Sequence, residues 1–196
     1  MELRLNEAHT ARLKGELQEG TLDFVIDNCA FDPTVYESQL LKREQVILAV
    51  PRGLPLSPQA APFRLSAAQL TIKDAPRVPL PLFADVPFLL LKEGNDTRAR
   101  AEQLCAQAGF TPHIRLQLDQ QLAAYNLASY GLGAAFISDT LALSAPPDER
   151  LVYYRIDSPD VERSIRLFYK RTRVLTAPMR ALLDMLDRSK GRPKDD

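Results

Sequence analysis

Short apolar runs alternate with amphipathic stretches along this chain. The runs are four or five residues long and predict strands buried on both faces, at 22–26, 46–50, 88–91 and 133–137. Residues 10–19, 97–108 and 119–130 instead carry apolar side chains three and four positions apart, and a glycine follows each stretch, so we predict three helices. Further strands are predicted at 2–5, 35–41, 114–118, 151–155 and 164–170, and a last helix after Thr176. This alternation predicts an α/β fold with mainly parallel sheets and helices on both faces.

A proline-rich connector separates two blocks of this pattern. Residues 51–87 hold eight of the fifteen prolines, which excludes long helices there and leaves room for one turn at Ser66–Leu70. Long connectors are unusual inside one compact lobe, so we expect a lobe boundary in this region. The first lobe is predicted to comprise residues 1–80 plus 164–196, and the second lobe residues 81–163.

Charge and cysteine content narrow the class of protein. The 196 residues contain 25 Lys and Arg against 25 Asp and Glu, whereas a chain that is itself a nucleic-acid surface normally carries a basic excess. No run approaches the roughly 18 apolar residues of a membrane span, and the first residues lack the order of a signal peptide. Cys29 and Cys105 form neither a disulfide framework nor a zinc motif, so we expect a cytoplasmic protein.

The sequence offers little for catalysis. His9 and His113 lie in polar, solvent-like contexts, and the acidic residues show no paired spacing. Glycine-rich phosphate loops, Gly-x-Ser-x-Gly and His-Glu-x-x-His are all absent from the sequence. We therefore expect a ligand-binding protein, with no catalytic residue, no cofactor and no metal site.

Three polar turns that follow buried strands are the candidate ligand-binding positions. In open α/β sheets, ligands collect beyond the carboxyl ends of strands, and amides at a helix start favour anions or polar oxygens. The turns lie at 27–29, 94–98 and 138–140, and the last two open helices. Asp96 opposes an anionic ligand unless Arg98 offsets its charge, and a simple helix cap is the alternative interpretation of each turn. The candidates are Asn28, Gly94, Asn95, Asp96, Thr97, Phe136, Ser138 and Thr140.

Five segments resemble the effector-binding domain of LysR-type transcriptional regulators. The first is the Leu-x-x-Gly-x-Leu-Asp pattern of 17–26, and the others lie at 40–51, 82–95, 108–112 and 128–138, in the family's order and spacing. The resemblance implies the two-lobed fold of type 2 periplasmic binding proteins. It also implies that a metabolite binds in a cleft between the lobes and that the change is relayed to an N-terminal helix-turn-helix.

The resemblance also carries expectations for site and partners. Family ligand positions fall on Asn95, Asp96, Thr97, Ser138 and Thr140, and less firmly on Asn28; many members have proline where Ser138 stands. The expected partner is a small-molecule effector, with a carboxylate as the finer expectation, and the full-length protein is expected to be a homodimer or tetramer. Family members place a DNA-binding domain, a linker helix and a further strand and helix before the strand predicted at 2–5. We therefore expect DNA contact only through a missing N-terminal domain.

Two alternatives from other classes stay open. A stand-alone solute-binding protein of transport type would share the two-lobed fold, and the missing export signal counts against it. A small α/β enzyme would need an acid or a nucleophile with a perturbed pKa in the cleft.

Overall fold

The computed structural model describes residues 3–189, which form two compact units. The smaller unit contains the chain up to Arg43 and from Ser164 onward, and the larger unit spans Glu44–Arg163. Two strands, β2 (Tyr36–Pro51) and β8 (Glu162–Lys170), each contribute residues to both units. No helix of the described residues is long and apolar enough to cross a membrane.

The smaller unit has a core built from one helix and one strand pair. It contains α1 (Thr10–Glu19), β1 (Val25–Asp27) and α5 (Ala177–Ser189), and β1 pairs antiparallel with β8. Helix α1 ends at Gly20, whose left-handed φ of 84° turns the chain so that the next N–H, that of Thr21, also bonds the Glu16 carbonyl oxygen at 3.0 Å. Leu17 of α1 packs with Val25, Phe31 and Phe168, and the Phe31 and Phe168 rings stack with centroids 4.0 Å apart.

The larger unit is a mixed sheet covered by helices. Its further strands are β3 (Arg77–Val78), β4 (Pro87–Leu91), β5 (His113–Leu118), β6 (Ala134–Ser138) and β7 (Leu151–Ile156). Its helices are α2 (Asp96–Gln107), α3 (Gln121–Ser129) and α4 (Asp139–Ser144). Strand β4 lies parallel between β5 and β6, β3 pairs parallel with β7, and β2 pairs antiparallel with both β6 and β7.

Both faces of this sheet are buried because its strand residues alternate between two apolar clusters. Val46, Leu48 and Val50 of β2 pack in the cluster that contains residues of α2, whereas Ile47 and Ala49 pack in the cluster that contains residues of α3. The α/β fold is therefore confirmed. The sheet is mixed rather than mainly parallel, because β2 pairs antiparallel with its neighbours while the helical crossovers keep β4, β5 and β6 parallel.

Several predicted elements have different bounds in the structure. The strand predicted at 2–5 does not form among the described residues: Leu5 is 90% exposed, and no strand pairs with this segment. The two strands predicted at 35–41 and 46–50 are one continuous strand, β2, which begins at Tyr36. Helix α3 begins at Gln121 rather than at 119, and the Asp119 carboxylate bonds Lys92 Nζ at 3.0 Å.

The proline-rich segment packs with the larger unit. Residues 44–80 were assigned to the first lobe from sequence, and the compact units place them with 81–163 instead. The physical reason is pairing: β2 beyond Val46 bonds β6 and β7, Leu65 bridges Tyr153, and β3 pairs with β7. Short 3-10 turns at Pro58–Phe63, Ala68–Thr71 and Leu80–Phe83 fill the rest of the segment.

Gly133 generates a first testable prediction, because a Cβ there would lie 2.5 Å from the carbonyl oxygen of Pro87 on β4. We expect Gly133→Ala to destabilise the protein by about 2–4 kcal/mol more than Gly131→Ala. Gly131 is the matched control, since it also has positive φ (86°) but open space around its Cα. Chemical denaturation measures both; equal losses would contradict the close approach of the two backbones.

Cys105 generates a second prediction. Burial, and secondarily the nearby charge of Glu102, raises the pKa of its thiol from 9.0 to about 12. We expect a Cys29→Ser variant, whose only thiol is Cys105, to resist an aromatic disulfide reagent at pH 7–9 when folded and to react fully in denaturant, because the thiolate is the nucleophile.

The same shift has a stability consequence. The pKa of the Cys105 thiol is higher in the folded protein than in the unfolded chain. The contribution of this thiol to the free energy of unfolding is therefore complete below about pH 8.5 and is lost as the pH rises toward 12.

A Cys29→Ser protein whose remaining thiol reacts rapidly at pH 7 without unfolding would contradict the burial of Cys105. The Cys29→Ser, Cys105→Ser double variant supplies the background rate.

Candidate functional site

Two capped helix starts lie side by side in the larger unit. Strands β4 and β6 are parallel neighbours, so the turns after their carboxyl ends open α2 and α4 at the same edge of the sheet. At α2, Asn95 is the N-cap and its Oδ1 accepts the Thr97 N–H at 2.9 Å. At α4, Ser138 is the N-cap and its Oγ accepts the Leu141 N–H at 3.2 Å. Both turns therefore contain a helix cap, which was the alternative interpretation of each turn from the sequence.

Gln121, the first residue of α3, joins these two helix starts. Its Oε1 accepts the backbone N–H of Ser138 at 3.0 Å, and its Nε2 donates to Thr97 Oγ1 at 2.7 Å. A backbone N–H can only donate, so the oxygen of the amide must face Ser138 and the nitrogen must face Thr97. Both Thr97 and Ser138 are buried, at 3% and 6% exposed, and Gln121 is half-buried.

A buried ion pair continues the network from Thr97. Arg163 Nη1 donates to Thr97 Oγ1 at 2.9 Å, and Arg163 Nε donates to Glu44 Oε1 at 2.5 Å. The two charged side chains are only 4% and 3% exposed. A buried cation of this kind is tolerated because it is paired with a carboxylate and hydrogen-bonded to further groups. We call the set Glu44, Thr97, Gln121, Ser138 and Arg163 the polar network.

Asp96 is neutralised, but not by the residue expected from sequence. Its Oδ2 lies 3.3 Å from Arg163 Nη1 and 3.7 Å from Arg100 Nε. Arg98 does not offset Asp96: it donates to the Leu91 carbonyl at 3.0 Å and pairs with Glu102 at 2.7 Å. The cations Arg163 and Arg100 therefore balance the anions Asp96 and Glu44 around the start of α2.

The other predicted residues occupy three different environments. Gly94 is exposed with φ of 84° and open space where a side chain would be, so its backbone is approachable. Thr140 is half-buried, and its Oγ1 is buried with no hydrogen-bond partner. Phe136 lies in the core, 2% exposed and stacked on Phe88 at 5.4 Å, so its ring does not line the site. Asn28 lies half-buried in the smaller unit, and a shared site with the other candidates stays a prediction.

Sequence reasoning missed three members of the polar network. Glu44 and Arg163 are separated by 119 positions, and Gln121 lies within the helix predicted at 119–130, where nothing marks it as a bridging residue. A weak signal existed for Glu44, which lies in a strand that continues into a buried apolar run, where a charge needs a partner. Nothing local indicates which partner it takes.

The described residues, 3–189, contain no group of three or more His, Cys, Asp or Glu side chains that could hold a metal ion.

Comparisons with known proteins agree with this fold. The LysR substrate binding domain family matches residues 1–190. An HTH-type transcriptional regulator of Bacillus subtilis, YcgK, is 27% identical over 180 residues, which are 90% of this chain and 55% of that protein. A probable hydrogen peroxide-inducible genes activator of Mycobacterium avium is 28% identical, over 86% of this chain and 49% of that protein. The chain thus spans about half the length of these relatives.

Solved structures with low sequence identity share the fold. The regulatory domain of Synechocystis CcmR, in complex with 2-PG, superposes with a TM-score of 0.78 at 18% identity, covering 97% of this chain and 84% of that one. The effector-binding domain of QuiR, in complex with shikimate, superposes with a TM-score of 0.68 at 16% identity, covering 93% of this chain and 78% of that one. The match of the family to nearly the whole chain decides the identity: this chain belongs to the LysR substrate binding domain family.

Proposed function

We propose that this chain is the effector-sensing part of a LysR-type transcription regulator and that it binds a small metabolite at the starts of α2 and α4. The observation that carries the proposal is the polar network, which joins two helix starts at adjacent carboxyl ends of parallel strands. Ligands of open α/β sheets collect at such ends. Two structures of the same fold, those of CcmR and QuiR, are complexes with a small molecule, 2-PG and shikimate respectively, which supports the same type of activity here.

We call Gly94, Asn95 and Thr140 the rim of this region; Gly94 is exposed, and the other two are half-buried. In this proposal the rim supplies the ligand contacts. Gly94 offers its backbone, and Asn95 presents its amide at the first turn of a twelve-residue helix. Thr140 Oγ1 is buried without a partner, a costly state that a ligand hydrogen bond would relieve. In this proposal Thr97 and Ser138 support the rim from behind, since their polar groups are bonded within the protein.

A carboxylate is the finer proposal for the effector. The amides and dipole at the start of α2 favour an anion, worth about 0.3–1 kcal/mol at an exposed site. The charge of Asp96 would oppose it, but Arg163 and Arg100 lie within 4 Å of that carboxylate and neutralise it. An acid group at the exposed turn of Gly94 and Asn95 is therefore compatible with the local charge.

In the larger unit, sensing by ligand contact is favoured over sensing by oxidation of its thiol. Several relatives are named hydrogen peroxide-inducible genes activators or probable ones, and redox-sensor cysteines are accessible thiols of low pKa. Cys105, the only cysteine of the larger unit, is fully buried and its pKa is raised to about 12. This environment also makes Cys105 a poor nucleophile, and the proposal accordingly includes no catalysis.

The role of the whole protein follows from its relatives as a further part of the proposal. Relatives of which this chain covers about half are named as HTH-type or DNA-binding regulators. We propose that DNA is bound by a separate N-terminal domain and that the full-length protein is a cytoplasmic homodimer or tetramer. The effector then shifts the population of two conformations to which that domain responds differently.

The ligand site is tested with a metabolite library and thermal unfolding. We expect a hit to raise the melting temperature, by about 2–4 °C per kcal/mol of binding stabilisation for a chain of this size. Asn95→Ala should reduce that shift, because it removes a rim contact and the cap of α2. The matched control is Ser158→Ala, which removes a comparable cap, the hydrogen bond from Asp160 N–H at 3.2 Å, elsewhere in the same unit.

A second variant decides the site assignment. A hit that stabilises the Thr97→Ala, Ser138→Ala double variant as strongly as the parent protein would show that the ligand binds elsewhere. Comparing an acid hit with its amide analogue tests the carboxylate separately, since only the acid gains from the start of α2. If peroxide treatment stabilises the protein and none of the metabolites does, oxidation is favoured as the signal instead.

A further inference from the structure

The polar groups that the family pattern nominates are already occupied from within the protein. The Ser138 N–H is bonded to Gln121 Oε1, and Thr97 Oγ1 accepts from both Gln121 Nε2 and Arg163 Nη1. A hydroxyl oxygen has two acceptor sites, so these two donors saturate it. We call the space between Ser138 N–H and Thr97 Oγ1, which the Gln121 amide fills, the amide slot.

The amide slot presents one donor and one acceptor. Its donor is the backbone N–H of Ser138, and its acceptor is Thr97 Oγ1, which is turned toward Gln121 by the Arg163 contact on the other side. A group that bonds both of them needs one hydrogen-bond acceptor and one donor on the same planar carbon. A carboxamide meets this requirement when its oxygen faces Ser138 and its nitrogen faces Thr97.

The surrounding charges favour a neutral occupant. Arg163 and Arg100 are balanced by Glu44 and Asp96, and Arg163 Nε is committed to Glu44 at 2.5 Å. A carboxylate placed in the slot would add a third anion to two cations beside the buried Thr97 and Ser138, whereas an acid at the exposed Gly94 would stay in contact with solvent. A carboxylate in the slot would also have no proton to donate to Thr97 Oγ1, so the Thr97 hydroxyl would have to donate instead, which reverses the hydrogen bond that Gln121 makes.

We infer that the side-chain amide of Gln121 is a built-in, displaceable occupant of a slot that takes a neutral carboxamide-type group of the effector. Gln121 is the first residue of α3 and is half-buried, and two hydrogen bonds hold its side chain. Its side chain can therefore leave the slot without unfolding a helix turn. The inference rests on the proposed function, and it deepens that function by naming the group recognised behind the rim.

The experiment uses acetamide as the probe and the Ser138 backbone amide resonance as the readout. In a Gln121→Ala protein the slot is vacated, and acetamide should shift the Ser138 resonance saturably, with an affinity at least about tenfold higher than in the parent protein. Acetate at equal ionic strength should bind more weakly than acetamide. The matched control is Gln120→Ala, an exposed neighbour whose side chain makes no cap hydrogen bond and which should behave like the parent.

A purely structural clamp would give a different pattern. If Gln121 only ties α2 to α4, Gln121→Ala loses stability and acetamide leaves the Ser138 resonance unchanged, which overturns the inference. Tighter binding of acetate than of acetamide overturns it as well. A Gln121→Ser variant covers the case in which Gln121→Ala does not fold; failure of both variants to fold would show that the amide is indispensable rather than displaceable.

This experiment is independent of the effector screen. If acetamide binds the vacated slot but no metabolite stabilises the protein, the proposed function is contradicted and the inference about the slot stands. If a metabolite binds at the rim but acetamide does not bind the slot, the proposed function stands and the role of Gln121 is rejected.

Discussion

The buried cation of Arg163 is the constraint that organises the larger unit around its candidate site. A guanidinium that is 4% exposed must be compensated, and Glu44 supplies the charge while Thr97 and Asp96 accept the remaining hydrogen bonds. Removing either Arg163 or Glu44 would break the buried ion pair, which costs about 3–5 kcal/mol. The start of α2 is therefore tied to strands β2 and β8, the two segments that contribute to both compact units.

The same network explains why this region suits binding rather than chemistry. Every polar group in it is held by another: Thr97 by Arg163 and Gln121, and Ser138 by Gln121 and the first turn of α4. Such groups hold fixed positions, which favours recognition by lowering the ordering cost of binding. A general base or a nucleophile would need an uncommitted side chain with a tuned pKa, and this network is built from committed ones.

Recognition would then be divided between the rim and an interior that the protein fills itself. Gly94 and Asn95 lie on a turn that a ligand can reach, whereas the amide slot behind them holds Gln121. An occupant supplied by the protein satisfies the buried donor and acceptor in the absence of ligand, which avoids the penalty of about 1–3 kcal/mol for an unpaired buried group. A ligand must exceed those internal bonds to replace them, so the arrangement adds selectivity at the expense of affinity.

The sequence by itself determined the local features of this protein. Helix α1 and the cap at Ser138 follow from apolar spacing and capping chemistry, which act within a few residues, and the ordered family segments identify the domain. Only the tertiary structure decided the antiparallel pairing of β2, the packing of the Phe136 ring on Phe88 and the partners of Asp96. A strand buried on both faces has no polar side to indicate its orientation. A salt bridge such as Glu44 with Arg163, 119 positions apart, depends on strand pairing that no local pattern encodes.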